Sequence, residues 1–365
     1  MLAPGGNPQV FSDNNLINGK ANFNCSSKAA GDDTPCTDNA GLAKFRFQSG
    51  KTHRLRLVNS GSEGVQRFSI DHHTLTVIAN DFVPIEAYET RVVTLGVGQR
   101  ADVIVRANVG HPGSAFWVRS NLTACTPARQ HFAVAAVYYD EDVGISPTSE
   151  PWDVPDPQNC ANDDLSLTRP LFRMPLPAAS YTHDFAIGLT VNASNVSLWT
   201  FDNVSFRGDY NAPSLLLARL GEVDFPDAWN VKDVGANASV RVVVHNNSPS
   251  PHPMHLHGFD FYVLHEGDGP WDGTSVVNAE NPMRRDVQMV RAFGHLVLQF
   301  DADHAGVWPF HCHVAWHASG GFFAQFLVQP DAIRNLDIPH SSVQLCRDWA
   351  AYTESNVPNQ IDSGL

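Results

Sequence analysis

Residues 311–317 read His-Cys-His-Val-Ala-Trp-His, and the rest of the chain is interpreted around them. Core packing alone rarely assembles three imidazoles and a thiol, because buried polar atoms without partners are costly. Alternate side chains of an extended strand point to opposite faces, so Cys312 would face one way and His311 and His313 the other. One short run can therefore serve two metal centres back to back, with His317 returning to the Cys312 side from the following turn.

A second histidine cluster, His-Pro-Met-His-Leu-His-Gly, occupies residues 252–258. His255 and His257 share a strand face by the same alternation, and His252, set off by Pro253, can turn elsewhere. The two clusters together offer one His2Cys set, which is His252, Cys312 and His317. The histidines left for a second, multinuclear site are His255, His257, His311 and His313. A trigonal His2Cys set with a weak or absent axial ligand is the blue-copper arrangement, which is suited to one-electron transfer.

The motifs HPMHLHG and HCHVAWHxxxG resemble the C-terminal half of a multicopper oxidase, specifically a laccase of the ascomycete type. The resemblance implies copper as the cofactor. The type 1 ligands that it implies are His252, Cys312 and His317; the type 2 ligand is His255; the type 3 ligands are His257, His311 and His313. It also implies an activity, the one-electron oxidation of phenolic or related aromatic substrates coupled to the reduction of dioxygen to water.

Two further residues carry functional expectations from this resemblance. Phe322 lies ten residues beyond Cys312, where the family places the residue axial to type 1 copper. Phenylalanine donates no electron pair, so it would favour Cu(I) and raise the reduction potential. Asp81 matches the position where laccases hold an acidic residue near the phenol site, and its carboxylate could take the proton of the substrate hydroxyl. The alternatives are a Phe322 that only packs and an Asp81 that only satisfies loop amides.

Length and composition indicate an all-β protein of two domains. The chain has 365 residues, 43% hydrophobic and 17% charged, with 26 Gly and 24 Pro between short apolar runs. Such a length exceeds the usual size of one core, and short β-branched runs bounded by turn residues are typical of β-sandwiches. With the resemblance, this predicts two cupredoxin-like (plastocyanin-like) Greek-key domains, a copper-free one at residues 1–165 and a copper-binding one at 166–365. The second is expected to close with a short C-terminal helix and tail.

The charge and the sequons bear on partners and location. A formal net charge of -14 argues against nucleic acid or an anionic membrane as partner, because both attract basic patches. No run is long and apolar enough to span a membrane. The N-terminal MLAPGGNPQV lacks a basic segment followed by an apolar core, so no signal peptide is expected in this chain. Asn-x-Ser/Thr sequons nevertheless favour a secreted glycoprotein, and they lie at Asn24, Asn121, Asn192, Asn195, Asn203, Asn237 and Asn246.

The cysteines fit the same oxidising location. Cys25 and Cys36 would close a local disulfide and Cys125 and Cys160 a longer one, although connectivity cannot be read from sequence. With Cys312 assigned to copper, the sixth cysteine, Cys346, is left over. In similar laccases the corresponding cysteine pairs with the first domain.

The remaining expectation concerns what the chain lacks. A laccase trinuclear cluster takes eight histidines, and the family draws four of them from two His-x-His motifs in its first domain. No such pair occurs between Met1 and Pro251, so half of the trinuclear site and a first cupredoxin domain as partner are expected to be missing. The leading hypothesis is a laccase-type oxidase. The alternatives are a truncated, non-catalytic copper or electron-transfer module, and a metal oxidase such as a ferroxidase, which would need several carboxylates around type 1 copper.

Two other segments resemble laccases. Residues 281–286 match a laccase segment that we interpret as structural, with Arg284 or Arg285 paired with Asp286. The final Asp-Ser-Gly-Leu, residues 362–365, resembles the processed terminus of ascomycete laccases, which inserts into the solvent channel leading to the trinuclear cluster.

Overall fold

The computed structural model describes residues 5–6, 10–141 and 144–355, which divide into two compact units. The first unit comprises residues 10–174 together with Val277–Met289, and the second comprises residues 5–6, 175–276 and 290–355. The sequence predicted one division between residues 165 and 166; the units change over after Met174, and Val277–Met289 belongs with the first unit. The C-terminal residues 362–365 lie outside the described residues.

The first unit contains two sheets built from the first nine strands. These are β1 (Lys44–Phe47), β2 (Thr52–Val58), β3 (Gln66–Ile70), β4 (Leu75–Asn80), β5 (Val83–Thr90), β6 (Val93–Leu95), β7 (Arg100–Arg106), β8 (Ala115–Leu122) and β9 (Phe132–Tyr139), after a 3-10 turn at Cys25–Ser27. The sheet orders are β1-β9-β8-β3-β6 and β2-β7-β4-β5. Burial alternates along β7 and β8, so each of these strands turns one face to the core.

The rest of the chain supplies the other strands and the helices. The strands are β10 (Tyr181–Val191), β11 (Ser197–Phe201), β12 (Val231–Gly235), β13 (Ser239–Asn246), β14 (His252–Leu256), β15 (Phe261–Asp268), β16 (Met283–Arg285), β17 (Val287–Val290), β18 (Gly294–Asp301), β19 (Gly306–Cys312) and β20 (Phe323–Val328). The helices are α1 (Ser214–Leu220), α2 (Ala315–Ser319), α3 (Pro330–Ile333) and α4 (His340–Ser355), with a 3-10 turn at Asp227–Trp229. The predicted all-β class with a short C-terminal helix is confirmed.

A cluster of phenylalanines holds the two sheets of the second unit together. Among the strands of this unit the pairing orders are β11-β10-β13-β18-β15 and β12-β20-β19-β14. Phe310 of β19 packs against Phe185 of β10 at 5.6 Å and Phe201 of β11 at 5.7 Å between ring centroids, and all three are 0% exposed. Because Phe310 points into this core, strand alternation also turns Cys312, two residues later, inward. Packing of the core therefore determines which face of β19 is buried from solvent.

Both predicted disulfides are present. Cys25 is bonded to Cys36 and Cys125 to Cys160, while Cys312 and Cys346 are outside disulfides. Among the helices of the described residues, none combines the length and hydropathy that crossing a bilayer requires.

Candidate metal centre

Strands β14 and β19 sort the predicted ligands onto two faces. They pair antiparallel, with Met254 opposite Cys312 and His255 opposite His311. Because opposed residues of a strand pair share a face and alternate residues change face, even-numbered positions turn inward and odd-numbered positions outward. His252 therefore lies on the Cys312 face by alternation alone, and no turn at Pro253 is needed to bring it there.

Helix α2 returns His317 to the same point. The loop after β19 closes through two backbone hydrogen bonds, from Phe322 N to His317 O at 3.0 Å and from Cys312 N to Phe322 O at 3.3 Å. Gly321 makes this closure possible, because its φ is 92° and a Cβ there would lie 1.9 Å from Ser205 Oγ. Cys312, His317 and Phe322 are thus brought together by one short segment.

Three donor atoms converge on the inner face. Cys312 Sγ lies 3.7 Å from His252 Nδ1 and 3.5 Å from His317 Nδ1, and the two nitrogens are 3.2 Å apart. Donors in a trigonal arrangement with bonds of about 2.0–2.3 Å to one ion would lie about 3.5–3.8 Å apart. The two sulfur–nitrogen edges match this spacing and the nitrogen–nitrogen edge is about 0.3 Å shorter, so the triangle can hold one three-coordinate metal ion with a soft sulfur donor.

Burial keeps these imidazoles neutral and ready to donate. His252 and Cys312 are 0% exposed, whereas His317 retains 9%. Desolvation lowers the pKa of His252 well below its usual value, and the His317 charge lowers it further. Desolvation likewise lowers the pKa of His317 to about 3. Near neutral pH both rings therefore carry lone pairs rather than a charge that would repel a cation.

An apolar wall encloses the donor triangle. The Phe322 ring, 0% exposed, lies 4.9 Å from the His252 ring centroid. Trp199 stacks on Phe322 at 5.4 Å and contacts the His252 and His317 rings at 4.8 and 4.5 Å. The position of Phe322 relative to Cys312 could be recognised from the sequence, whereas Trp199 could not, because no motif surrounds it in strand β11. Both side chains keep water from the metal-facing donors.

The outer face carries the second predicted cluster. His255, His257 and His311 have ligand atoms within 4.8 Å of one another, and His257 Nε2 is 3.0 Å from His311 Nε2. The His313 ring lies 5.5 Å from that of His255 and 5.9 Å from that of His311. His311 Nδ1 lies 2.9 Å from the Cys312 carbonyl, to which it donates, so its Nε2 faces the cluster as a lone pair. Desolvation lowers the pKa of His311 to about 3.

The carboxylate of Asp81 is held by an ion pair and by hydrogen bonds. Its side chain is 0% exposed, and its carboxylate accepts hydrogen bonds from two nitrogens of Arg285, at 2.8 and 3.2 Å. The backbone N–H of Arg100 donates to the same carboxylate at 2.8 Å. Burial acts to raise the pKa of Asp81, but the charges and hydrogen bonds of Arg285 and Arg100 outweigh it and hold the pKa below its usual value. The carboxylate is thus engaged within the first unit.

The ion pairs around residues 281–286 differ from the expected ones. The sequence predicted that Arg284 or Arg285 would pair with Asp286. Instead Arg100 binds Asp286 through two nitrogens, at 2.7 and 3.0 Å, and Arg285 turns to Asp81. Proximity in the sequence suggested a local pair, but the fold brings Arg100 to Asp286 and Asp81 to Arg285. These ion pairs join the segment to β7 and to the turn after β4.

Several histidines outside both motifs have ordinary partners. His73, for example, lies 2.7 Å from the Asp71 carbonyl and 2.6 Å from Tyr139 Oη, and His265 lies 2.8 Å from His295. Within the ranges that the structure describes, the groups of three or more metal-type side chains are the two already given. Ligand chemistry is therefore concentrated at β14, β19 and α2.

Comparisons with known proteins agree with this geometry. Two multicopper oxidase family models match residues 2–142 and 191–332. Laccase-2 of Botryotinia fuckeliana is 33% identical over 97% of this chain and 61% of its own length, and oxidoreductase OpS5 of Beauveria bassiana is 33% identical over 99% and 62%. The crystal structure of the laccase from Botrytis aclada superposes with a TM-score of 0.87 at 31% identity, covering 98% of this chain and 66% of that one.

These matches have two consequences. The chain spans about three fifths of the length of the curated relatives, so activities of the whole relatives are not transferred to it directly. The family models nevertheless cover both units, and the relatives include several fungal laccases. With its convergent His2Cys donors, this chain belongs to the multicopper oxidase family and is laccase-like within it.

Proposed function

We propose that this chain carries the substrate-oxidising half of a laccase-type copper oxidase. The observation that carries the proposal is the buried triangle of Cys312 Sγ, His252 Nδ1 and His317 Nδ1, with edges of 3.2–3.7 Å. Copper held there supplies one-electron redox chemistry, with phenolic or related aromatic molecules as substrates and dioxygen as the final acceptor. The finer assignment is His252, Cys312 and His317 to type 1 copper, His255 to type 2, and His257, His311 and His313 to type 3.

In this proposal the inner strand face accepts the electron from the substrate, and the outer face receives it. His317 retains 9% exposure and His252 none, so His317 is the ligand at which an organic donor would approach. Cys312 is bonded directly to His311, whose ring lies on the other face, and this gives a short covalent route between the two clusters. Phe322 and Trp199 exclude water from the inner face. We propose no proton transfer to Asp81, because its carboxylate is buried against two guanidinium groups.

The outer histidines require a partner. Four imidazoles are half of the eight that a laccase trinuclear site uses, so a first cupredoxin domain is the proposed supplier of the rest. Fungal relatives, two disulfides and exposed sequons such as Asn24 and Asn203 support an extracellular, glycosylated protein. The proposed partners are therefore a phenolic substrate, dioxygen and that domain.

The 365-residue polypeptide by itself is expected to become coloured with copper and to be bleached once by a phenol, without sustained oxygen uptake. A chimera in which the first domain of the Botryotinia laccase precedes this chain should take up oxygen continuously. An oxygen electrode and a visible spectrum of both proteins provide the measurement. Colour without uptake in the chimera would support an electron-transfer module, and no colour in either protein would refute the copper proposal.

The axial position gives a separate prediction. Replacing Phe322 with methionine is expected to lower the reduction potential, because a thioether stabilises Cu(II) weakly where the ring donates nothing. A tenfold gain in relative Cu(II) affinity corresponds to about 59 mV, and we expect a shift of that order. A potentiometric titration of the visible band measures it. Phe326→Met, at another fully buried phenylalanine of the same core, is the control and should leave the potential unchanged. Equal potentials in all three proteins would rule out Phe322 as the axial residue.

A further inference from the structure

A hydrogen-bonded chain of three buried side chains leads to the inner metal face. Ser248 Oγ lies 2.8 Å from Asn246 Oδ1 and 3.0 Å from His252 Nε2. Asn246, Ser248 and His252 are 2%, 5% and 0% exposed. Groups this deeply buried satisfy their hydrogen-bonding capacity within the protein. Their partners therefore determine where each hydrogen atom lies.

Asn246 sets the direction of this chain. Its amide nitrogen donates to the carbonyls of Ser250 at 2.7 Å and Arg291 at 2.8 Å. An amide nitrogen has two hydrogens, so both are used. The oxygen Oδ1 must then be the acceptor toward Ser248, whose backbone N–H reaches it at 2.9 Å.

The Ser248 hydroxyl transmits that direction to the imidazole. A hydroxyl has one hydrogen and two lone pairs. Besides the imidazole, two oxygens can accept the hydroxyl hydrogen. Asn246 Oδ1 lies at 2.8 Å and the carbonyl oxygen of Ser250 at 3.2 Å. One lone pair receives the Ser250 N–H at 3.3 Å, and the other faces His252 Nε2. The shorter distance to Asn246 Oδ1 favours that oxygen as the acceptor of the hydroxyl hydrogen, which leaves His252 Nε2 as the donor to Ser248 Oγ.

We propose that Asn246 and Ser248 are positioning residues that hold His252 in the tautomer with its hydrogen on Nε2. A neutral imidazole has one N–H, so the lone pair is on Nδ1, the nitrogen 3.7 Å from Cys312 Sγ. The inference rests on the proposed copper site and adds that His252 is already oriented for binding in the metal-free protein. Loss of such a partner typically costs about 10–100-fold in metal affinity.

The same network assigns a structural role to a sequence that reads as a glycosylation sequon. A glycan at Asn246 would replace one of the two Nδ2 hydrogens that bind carbonyls, in a side chain that is 2% exposed. We therefore expect Asn246 to be unmodified in folded chain secreted by a fungal host. Peptide mapping by mass spectrometry measures this, and a glycan on Asn246 of the copper-binding protein would contradict the network.

The decisive measurement is the proton position of His252 in metal-free protein. Nitrogen-15 histidine spectra of the full chain distinguish protonated from unprotonated ring nitrogens, and His252→Gln identifies the His252 signals by their loss. We expect Nε2 protonated and Nδ1 unprotonated. The opposite tautomer in the unmodified chain would overturn the proposal, and this test requires no folded variant at Ser248.

Variants then test whether Ser248 is responsible. Ser248→Ala should mix the two tautomers and weaken copper binding about 10–100-fold, while Ser248→Thr should restore both. Ser250→Ala, two residues away and outside the side-chain network, is the matched control and should match the unmodified chain. An unchanged tautomer and affinity in Ser248→Ala would overturn the proposal. If the unmodified chain bound no copper, the proposed function would fail, yet the tautomer measurement would still decide this inference.

Discussion

Replacing Cys312 with serine is expected to remove about one copper ion per chain together with the visible colour of the copper-loaded protein. Cys312 Sγ is the only sulfur in the donor triangle, 3.5 and 3.7 Å from the two imidazole nitrogens. A serine hydroxyl remains protonated near neutral pH and is a poor match for a soft, thiolate-selective site. Metal analysis and a visible spectrum after copper loading measure the loss. Single-turnover bleaching by a phenol should disappear with it.

Cys346→Ser is the matched control for this substitution. Cys346 is the other cysteine outside the two disulfides, lies in α4, and belongs to neither metal-type group within the described residues. The control should retain the colour and copper content of the unmodified chain. Colour that persists in Cys312→Ser would be incompatible with a thiolate ligand at residue 312. Colour lost equally in Cys346→Ser would show that the loss is not specific to residue 312.

Strand alternation explains why the sequence alone could predict which candidate donors cluster on each strand face. In the two strands the candidate donors at even and odd positions point to opposite faces, and β14 and β19 pair so that His252 and Cys312 share the inner face. Local periodicity therefore carries nearly all the information that this site needs. The third donor of the inner triangle, His317, lies outside the strands but follows Cys312 closely enough that a single turn of α2 brings it back.

Contacts between distant segments could not be predicted in this way. Trp199 reaches the donor triangle from β11, more than fifty residues before the first motif, and no local pattern marks it. Ser248 precedes the first motif but reads as part of a sequon, and only its burial against His252 shows another role. The Arg285–Asp81 pair joins positions about two hundred residues apart. Side-chain networks of this kind depend on tertiary packing, which a single sequence does not display.

Replacing Asp81 with asparagine is expected to lower the free energy of unfolding of the first unit by about 3–5 kcal/mol. The change keeps the side chain's shape and suits its φ of 51°, but leaves the Arg285 guanidinium, 5% exposed, without its buried countercharge. Urea unfolding measures the loss, and hydrogen exchange of β4 and β5 localises it to this unit. Asp102→Asn is the control, because Asp102 pairs with Arg54 and Arg56, whose side chains are 50% and 74% exposed. Such surface pairs contribute about 0–1 kcal/mol.

The pH dependence of stability gives the same substitution a second readout. The pKa of Asp81 is lower in the folded chain than its unfolded value of about 3.9, so the folded state binds fewer protons there. The stabilisation from its ion pair is therefore complete above that unfolded value and is lost as the pH falls through the folded one. Asp81→Asn should be less stable at neutral pH and should lose less of its remaining stability below about pH 4 than the unmodified chain.

The alternative role of Asp81 predicts the reverse pattern. A carboxylate that took the substrate proton would have to be reachable by a phenol, and its amide variant would slow the single-turnover bleaching of copper-loaded protein without destabilising the fold. Asp81 instead combines a 0% exposed side chain with two guanidinium groups, Arg285 at 2.8 Å and Arg100 at 3.5 Å. Slowed bleaching by Asp81→Asn with a stability change under about 0.5 kcal/mol would overturn the structural assignment. Lost stability with unchanged bleaching in the protein that remains folded would support the structural assignment. The Arg285–Asp81 pair would then stabilise the hairpin of β4 and β5 and take no part in the reaction.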